Sequence, residues 1–212
     1  GRPGARGIAG YMVNEPSTAL PLFRMGKLDL TSIPSTDIPL WKFSPSYRHH
    51  PFLRSNYFGF NVKKPPFDDP RVRRAFSLAI DRSEIPRVLK GGEIPVTSWI
   101  PPGMFAHDPS IGLGFDPDRA RSLLADAGYP GGRGFPEVEA FYNTNPDFQL
   151  VAENLQQQWK RNLGARVSIE NEEWKVYLKH LVQDAPQIFR LGWGADYPDP
   201  DNFMARFTTT SG

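Results

Sequence analysis

Residues 57–80 read YFGFNVKKPPFDDPRVRRAFSLAI, and this stretch predicts a strand followed by a helix. Aromatic and β-branched residues dominate positions 57–62, which is typical of a strand. Asp69 can cap a helix whose first residue is Pro70, and apolar residues then recur at the i, i+3, i+4, i+7 spacing. These residues are Val72, Ala75, Phe76 and Ala79, so we predict an amphipathic helix over residues 70–80. A strand next to a helix with one apolar face is the building unit of an α/β domain.

The alternation of strands and helices continues toward the carboxyl end of the chain. We predict further strands at residues 138–142, 166–170 and 187–192, and helices that begin after Asp116, span residues 147–163 and include residues 174–181. Nearer the amino end we predict a short helix between Pro16 and Gly26, a short strand at residues 28–30 and an irregular linker at residues 43–56. The whole pattern predicts an α/β fold with a mixed or parallel β-sheet flanked by helices.

Composition excludes several classes of protein. The 212 residues are 39% hydrophobic, which is sufficient for a packed core. The chain has 25 Lys and Arg residues and 23 Asp and Glu residues, so its net charge is only +2. The chain as a whole therefore does not attract nucleic acid or an anionic membrane. The absence of Cys excludes thiol nucleophiles, disulfides and thiolate metal sites within this stretch. No apolar run approaches the roughly 18 residues of a membrane-spanning helix.

The densest polar segment is residues 193–202, which read WGADYPDPDN. Its carboxylates could bind a hard cation such as calcium, but their spacing is not that of a calcium loop. Asp199 and Asp201 are residues of the kind that cap turns and open helices. Asp196 differs, because it follows a predicted strand directly and the ligands of α/β sheets bind beyond the carboxyl ends of strands. Asp196 is therefore a candidate ligand contact, and we predict no metal site.

Tryptophans give a second signal for a binding site. Trp159 lies on the apolar stripe of a predicted helix and is expected in the core. Trp174 lies where a strand changes to a helix, and Trp193 opens the acidic segment, so each belongs either to the core or to the wall of a cleft. Histidines have no companions at a metal-ligand spacing, and no Ser, His and Asp set accompanies a nucleophile elbow. The residues thus give no positive indication of catalysis.

Over almost its whole length the chain resembles the extracytoplasmic solute-binding proteins of peptide-type ABC transporters. The resemblance rests on four ordered segments: residues 57–85, with PPFDDPRVRRAF and AIDR; residues 100–104, IPPGM; residues 120–129, ending in AGY; and residues 193–200. It implies a periplasmic-binding-protein-like lobe of class II, peptide-binding type. Residues 1–55 resemble a returning segment of the first lobe with its hinge linker, and residues 56–212 resemble most of the distal lobe. The remaining parts of a family member, including its export signal, are then expected outside this stretch.

The resemblance also implies a set of ligand-binding residues. In the family's peptide binders an Asp in the motif Trp-x-x-Asp-Tyr holds the ligand's α-ammonium, and the matching residues here are Trp193, Asp196 and Tyr197. Trp174 and Trp193 match tryptophans of the cleft, and Arg190 matches a position that either faces the cleft or forms a surface or ion-paired arginine. The strand around Gly194 would offer main-chain groups to an extended peptide, and glycine permits its close approach.

The function implied is capture of short peptides between two lobes for delivery to an ABC permease in the membrane. On this interpretation the protein is a monomer at the periplasmic or extracellular face of the bacterial membrane, is not an enzyme, and needs no cofactor, metal or nucleic acid. Three alternatives stay open. They are a family member for a nickel chelate or an oligosaccharide, a ligand-sensing domain of a transcription regulator, and a metal-dependent hydrolase that uses the acidic segment.

Overall fold

The computed structural model describes residues 4, 6–13, 16–50 and 52–208, and the chain divides into two compact units. Residues 1–47 form the first unit, with helices α1 (Pro16–Arg24) and α2 (Ile38–Trp41), the latter preceded by a 3-10 turn at Ser35–Asp37. Residues 48–212 form the second unit. The division falls within the predicted linker, while the assignment of residues 1–55 and 56–212 to two lobes of a larger protein stays a prediction. Residues 1–3, at the start of the first of these segments, and residues 209–212, at the end of the second, lie outside the described residues.

The second unit contains a four-stranded sheet and six helices among its described residues. The strands are β1 (Arg54–Phe60), β2 (Val138–Asn143), β3 (Val167–Glu172) and β4 (Ile188–Gly194). The helices are α3 (Pro70–Leu78), α4 (Glu84–Leu89), α5 (Pro117–Asp126), α6 (Pro146–Leu163), α7 (Trp174–Asp184) and α8 (Asp201–Met204). Single 3-10 turns lie at Pro130–Gly132 and Ala205–Phe207.

The sheet has the order β1-β4-β2-β3 and is mixed. β2 runs parallel to both β3 and β4, while β1 is antiparallel to β4. Helix α6 connects β2 to β3 and helix α7 connects β3 to β4, as parallel strands require. The α/β fold with a mixed sheet and flanking helices is therefore confirmed.

Local signals in the sequence explain where the long helices begin and end. The Asp69 side chain accepts the N–H of Arg71 at the start of α3, and the Asp116 side chain accepts the N–H of Arg119 at the start of α5. Helix α6 ends at Gly164, whose φ of 70° is the left-handed conformation that glycine adopts without strain. All three helices thus begin or end at a residue whose chemistry favours the boundary.

Helices α3, α5 and α6 bury their apolar faces in one core with residues of the sheet. Phe76 stacks against Phe135 and packs against Phe67 and Trp159, with ring centroids 5.0–5.3 Å apart. The predicted core position of Trp159 is confirmed, because it is 2% exposed and its indole N–H donates to the carbonyl of Phe76 at 3.0 Å. This core fixes the sheet whose β4 edge is described below.

Two predicted strands differ from the structure. The strand predicted at residues 28–30 is wrong, because these residues form a bend without a strand partner in the described part of the chain. The strand predicted at 187–192 extends through Trp193 to Gly194, since β1 continues to pair with it as far as Arg54. Within the described ranges, no helix combines the length and the apolar character needed to cross a bilayer.

Candidate functional site

The carboxyl-terminal half of β4 has a strand neighbour on only one side. Two hydrogen bonds at the two ends of the β1–β4 pair show which residues of β4 point toward β1. The N–H of Asn61 donates to the carbonyl of Gln187, and the N–H of Ala195 donates to the carbonyl of Leu53. The odd-numbered residues of β4 therefore direct their main-chain groups toward β1. The even-numbered residues point the other way, toward β2. Strand β2 pairs with β4 only at residues 188 and 189, so β2 offers no ladder partner to Gly192 and Gly194.

Tyr177 occupies the point where β2 and β4 separate. Its hydroxyl accepts the main-chain N–H of Arg190 at 2.9 Å and lies 2.6 Å from the carbonyl of Arg190 and 3.2 Å from that of Phe141. Burial raises the pKa of Tyr177 to about 12, so this hydroxyl keeps its proton. The phenol thus replaces the ladder partner that β2 no longer gives, and the open edge of β4 begins at the next even-numbered residue.

Arg190 is buried beneath this edge, with 3% of its surface exposed. Its guanidinium donates to the side-chain oxygens of Asn56 and Asn143 and lies 3.4 Å from the ring centroid of Phe148. Burial, followed by repulsion from Arg54, lowers the pKa of Arg190 to about 10, which leaves the group charged near neutral pH. Its Nε is buried and has no partner among the described residues.

Two glycines, at residues 192 and 194, lie near the end of β4, and a Cβ atom would meet different surroundings at each. A Cβ atom on Gly192 would lie 2.5 Å from Oδ1 of Asn56, which Arg190 holds in place. A Cβ atom on Gly194 would meet no atom closer than the ring of Phe52 at 3.8 Å. Glycine is therefore required by packing at residue 192, whereas at residue 194 it leaves open space next to the strand.

Asp196 lies directly after this strand, and its side chain is exposed to solvent. Asn202, at the start of α8, holds the turn: its Oδ1 accepts the N–H of Asp196 at 3.2 Å and the indole N–H of Trp193 at 2.8 Å. The amide of Asn202 also donates to Oδ2 of Asp196 at 3.4 Å. Asp196 forms no salt bridge with any residue that the structure describes, so its charge is available to a ligand.

The aromatic residues predicted for the site lie around this carboxylate and strand. Trp193 is half-buried, and the guanidinium of Arg206 lies 4.0 Å from its ring centroid. Tyr197 is 48% exposed and donates its hydroxyl to Asp201 at 3.1 Å. Trp174 is 44% exposed and packs against Tyr177 with ring centroids 6.3 Å apart.

The structure brings most of the predicted site residues into one connected set. Trp193 and Asp196 share Asn202, and Trp174 reaches the open edge of β4 through Tyr177. Arg190 is buried and forms no salt bridge with a described residue, and the expectation from the resemblance that it faces a ligand stays a prediction. The ligand-binding roles of the six residues, Trp174, Arg190, Trp193, Gly194, Asp196 and Tyr197, stay predictions.

Sequence reasoning missed Asn202, Tyr177 and Arg206. Asn202 belongs to the acidic segment and could have been found by its position near the start of α8, where Asn commonly caps turns. Tyr177 and Arg206 carry no local signal, because their contacts with Arg190 and Trp193 join residues 13 positions apart in each case.

Metal chemistry receives no support from the arrangement. In the part of the chain that the structure describes, no three His, Asp or Glu side chains are grouped so that they could hold a metal ion. A separate surface cavity of about 350 Å³ is lined by residues of the loops at 131–137 and 164–166. It contains none of the six predicted residues and owes its shape to close packing of glycine backbones, so we place the site at β4.

Comparison with known proteins agrees with this fold. Solved periplasmic peptide-binding proteins share this fold: the chain superposes on a periplasmic oligopeptide-binding protein of Borrelia burgdorferi with a TM-score of 0.83 and 34% identity, over 94% of this chain and 40% of that one. Residues 2–212 match the family described as bacterial extracellular solute-binding proteins, family 5 Middle. The chain belongs to this family.

The names of individual relatives mention different ligands. The oligopeptide-binding protein OppA of Bacillus subtilis is 29% identical over 95% of this chain, and the probable deoxycholate-binding periplasmic protein YgiS of Escherichia coli is 35% identical over 86%. The chain spans 39% of the length of the first and 35% of the second. Family membership groups the chain with solute-binding proteins.

Proposed function

We propose that this chain is part of an extracytoplasmic solute-binding protein that captures short peptides and delivers them to an ABC permease. Support comes from the family, from relatives named as oligopeptide-binding proteins, and from related structures solved with bound peptide. On this proposal the protein is a monomer outside the cytoplasm, and a second lobe closes on the ligand. The site described above supplies one wall of the cleft.

The observation that carries the proposal is the exposed carboxylate of Asp196, which no cation in the described ranges neutralises. Asn202 fixes its main chain and one of its oxygens. A peptide's α-ammonium is a compact cation with three N–H donors, which suits a carboxylate with a free oxygen. Such a pair is worth about 1 kcal/mol or less in water, but breaking it in a closed cleft costs about 2–5 kcal/mol.

The open edge of β4 gives the second point of attachment. Gly192 and Gly194 direct their main-chain groups away from β1, where an extended peptide can add as a strand. Hydrogen bonds to the ligand's main chain are indifferent to its side chains, so we expect broad tolerance of peptide sequence. Asp196 then sets the register, because it holds the amino terminus.

In this proposal the remaining predicted residues contact ligand side chains or position the strand edge. Trp174 and Trp193 offer partly exposed rings against which ligand side chains pack, and Tyr197 extends that surface. Arg190 acts from below, by fixing Asn56 and by giving the edge a buried positive charge. A steroid acid has no ammonium to pair with Asp196, so the carboxylate favours a peptide over the ligand named for YgiS.

Titration calorimetry on the full-length protein tests the proposal. We expect a free tripeptide such as Ala-Gln-Ala to bind at least ten-fold more tightly than its N-acetylated form, because acetylation removes the charge that Asp196 pairs with. Asp196→Asn should remove this difference. Asp126→Asn is the matched control, since it makes the same change on the exposed surface of α5. Equal affinity for the free and acetylated peptides in the unmodified protein contradicts the proposal.

A further inference from the structure

Arg206 is an unpaired cation next to the candidate site. It lies in the 3-10 turn Ala205–Phe207, directly after α8, and its side chain is exposed. The guanidinium carbon is 4.0 Å from the ring centroid of Trp193, which indicates stacking on the indole. In the described portion of the chain it forms neither a hydrogen bond nor a salt bridge, so its N–H donors remain available.

Arg206 and Asp196 belong to one connected group although they do not form a salt bridge. Asn202 binds both the main chain of Asp196 and the indole N–H of Trp193, and Arg206 covers a face of that same indole. The group therefore carries one carboxylate and one guanidinium, each without a charged partner. Opposite charges held separately beside one surface match a ligand with both an ammonium and a carboxylate.

We infer that Arg206 is a specificity-determining residue that binds a carboxylate of the peptide ligand. This inference rests on the proposed function, because it presumes that Asp196 holds the ligand's amino terminus. A guanidinium stacked on an indole keeps its edge free, and that edge presents two parallel N–H donors in the geometry of a carboxylate. The indole also restricts the side chain, so less conformational entropy is lost when the ligand binds.

Two parts of a peptide can supply the carboxylate. One is an Asp or Glu side chain near the amino end, and the other is the carboxyl terminus of a very short peptide. Both present the same planar anion to Arg206. The experiment below separates them by changing one at a time.

Titration calorimetry of the full-length protein with four tripeptides is the test. The peptides are Ala-Glu-Ala, Ala-Gln-Ala, the C-terminal amide of Ala-Gln-Ala, and N-acetylated Ala-Gln-Ala. If the side chain is the source, Ala-Glu-Ala binds about ten-fold more tightly than Ala-Gln-Ala. If the carboxyl terminus is the source, amidation weakens binding about ten-fold. In either case Arg206→Gln abolishes the difference and Arg119→Gln, an exposed arginine on α5, preserves it.

The outcomes separate this inference from the proposed function. Sensitivity to N-acetylation, with no effect of either carboxylate, keeps the peptide-binding proposal and overturns the role of Arg206. Carboxylate effects that persist in Arg206→Gln also overturn it, because another cation is then responsible. Absence of binding by any of the four peptides overturns both.

Discussion

Replacing Tyr177 with Phe tests whether a single phenol oxygen terminates the pairing of β2 and β4. The change removes one atom and keeps the ring, which is fully buried. The lost hydroxyl accepts the N–H of Arg190 at 2.9 Å, so that donor becomes buried without a partner. An unsatisfied buried donor costs about 1–3 kcal/mol. We therefore expect Tyr177→Phe to lower the free energy of unfolding by about 2 kcal/mol.

Urea denaturation at pH 7 measures this change. The m-value, which is the slope of the unfolding free energy against urea concentration, should stay the same, because the surface area that becomes exposed on unfolding does not change. The melting temperature should fall by about 4–8 °C, at about 2–4 °C per kcal/mol for a domain of this size. Tyr129→Phe is the control, because the Tyr129 hydroxyl has no hydrogen-bond partner among the described residues. A loss below about 0.5 kcal/mol for Tyr177→Phe refutes the role of the hydroxyl as the terminating partner.

The pH dependence gives an independent check on the same residue. Burial raises the pKa of Tyr177 from 10.0 to about 12, so the unfolded chain loses this proton at a lower pH than the folded one. The stability that the neutral phenol contributes is therefore complete below pH 10 and is lost as the pH rises toward 12. By pH 11 the loss is about 1.4 kcal/mol. The stability difference between the unmodified protein and Tyr177→Phe should shrink by this amount between pH 9 and pH 11, and a constant difference contradicts the argument.

Two further changes test the packing and the positioning of the site. Gly192→Ala should lower the free energy of unfolding in urea by about 1–3 kcal/mol, because the new Cβ would lie 2.5 Å from Oδ1 of Asn56. Gly194→Ala should change the free energy of unfolding little, because its new Cβ meets no atom closer than 3.8 Å. Equal effects of the two changes would show that packing does not require glycine at residue 192. Asn202→Ala removes the acceptor that holds Asp196, so calorimetry should show peptide affinity reduced about ten-fold, with the discrimination against N-acetylated peptide diminished. Unchanged affinity would show that Asn202 does not position the carboxylate.

Sequence predicts the helices and strands well where the signal is local. Asp69 and Asp116 cap helices because a side chain two or three residues before an N–H reaches it without help from the rest of the fold. The position of Asp196 after a strand is equally local. The strand at residues 28–30 fails for the converse reason: two alternating leucines satisfy the pattern, but a strand also needs a partner.

The finer arrangement of the site depends on contacts that a linear pattern does not contain. The point at which β2 leaves β4 is set by the hydroxyl of Tyr177, whose helix gives no signal of that role. The strand predicted from the sequence ends at residue 192 and leaves out Trp193 and Gly194, because Gly, Pro and Asp dominate the residues that follow. Pairing with Arg54 keeps them in the strand. Similarly, the burial of Arg190 follows from Asn56 and Phe148, which are distant in sequence.

The edge of β4 that faces away from β1 at Gly192 and Gly194 has a consequence for the colloidal behaviour of the protein. A free strand edge is a template onto which a second copy can add, and this is a route to aggregation and domain swapping. Glycine has a low preference for strands, so Gly192 and Gly194 make this edge a weak template for a neighbouring molecule. On the proposed function, the same two glycines that admit a peptide's main chain also lower the tendency of the protein to add a second copy at this edge.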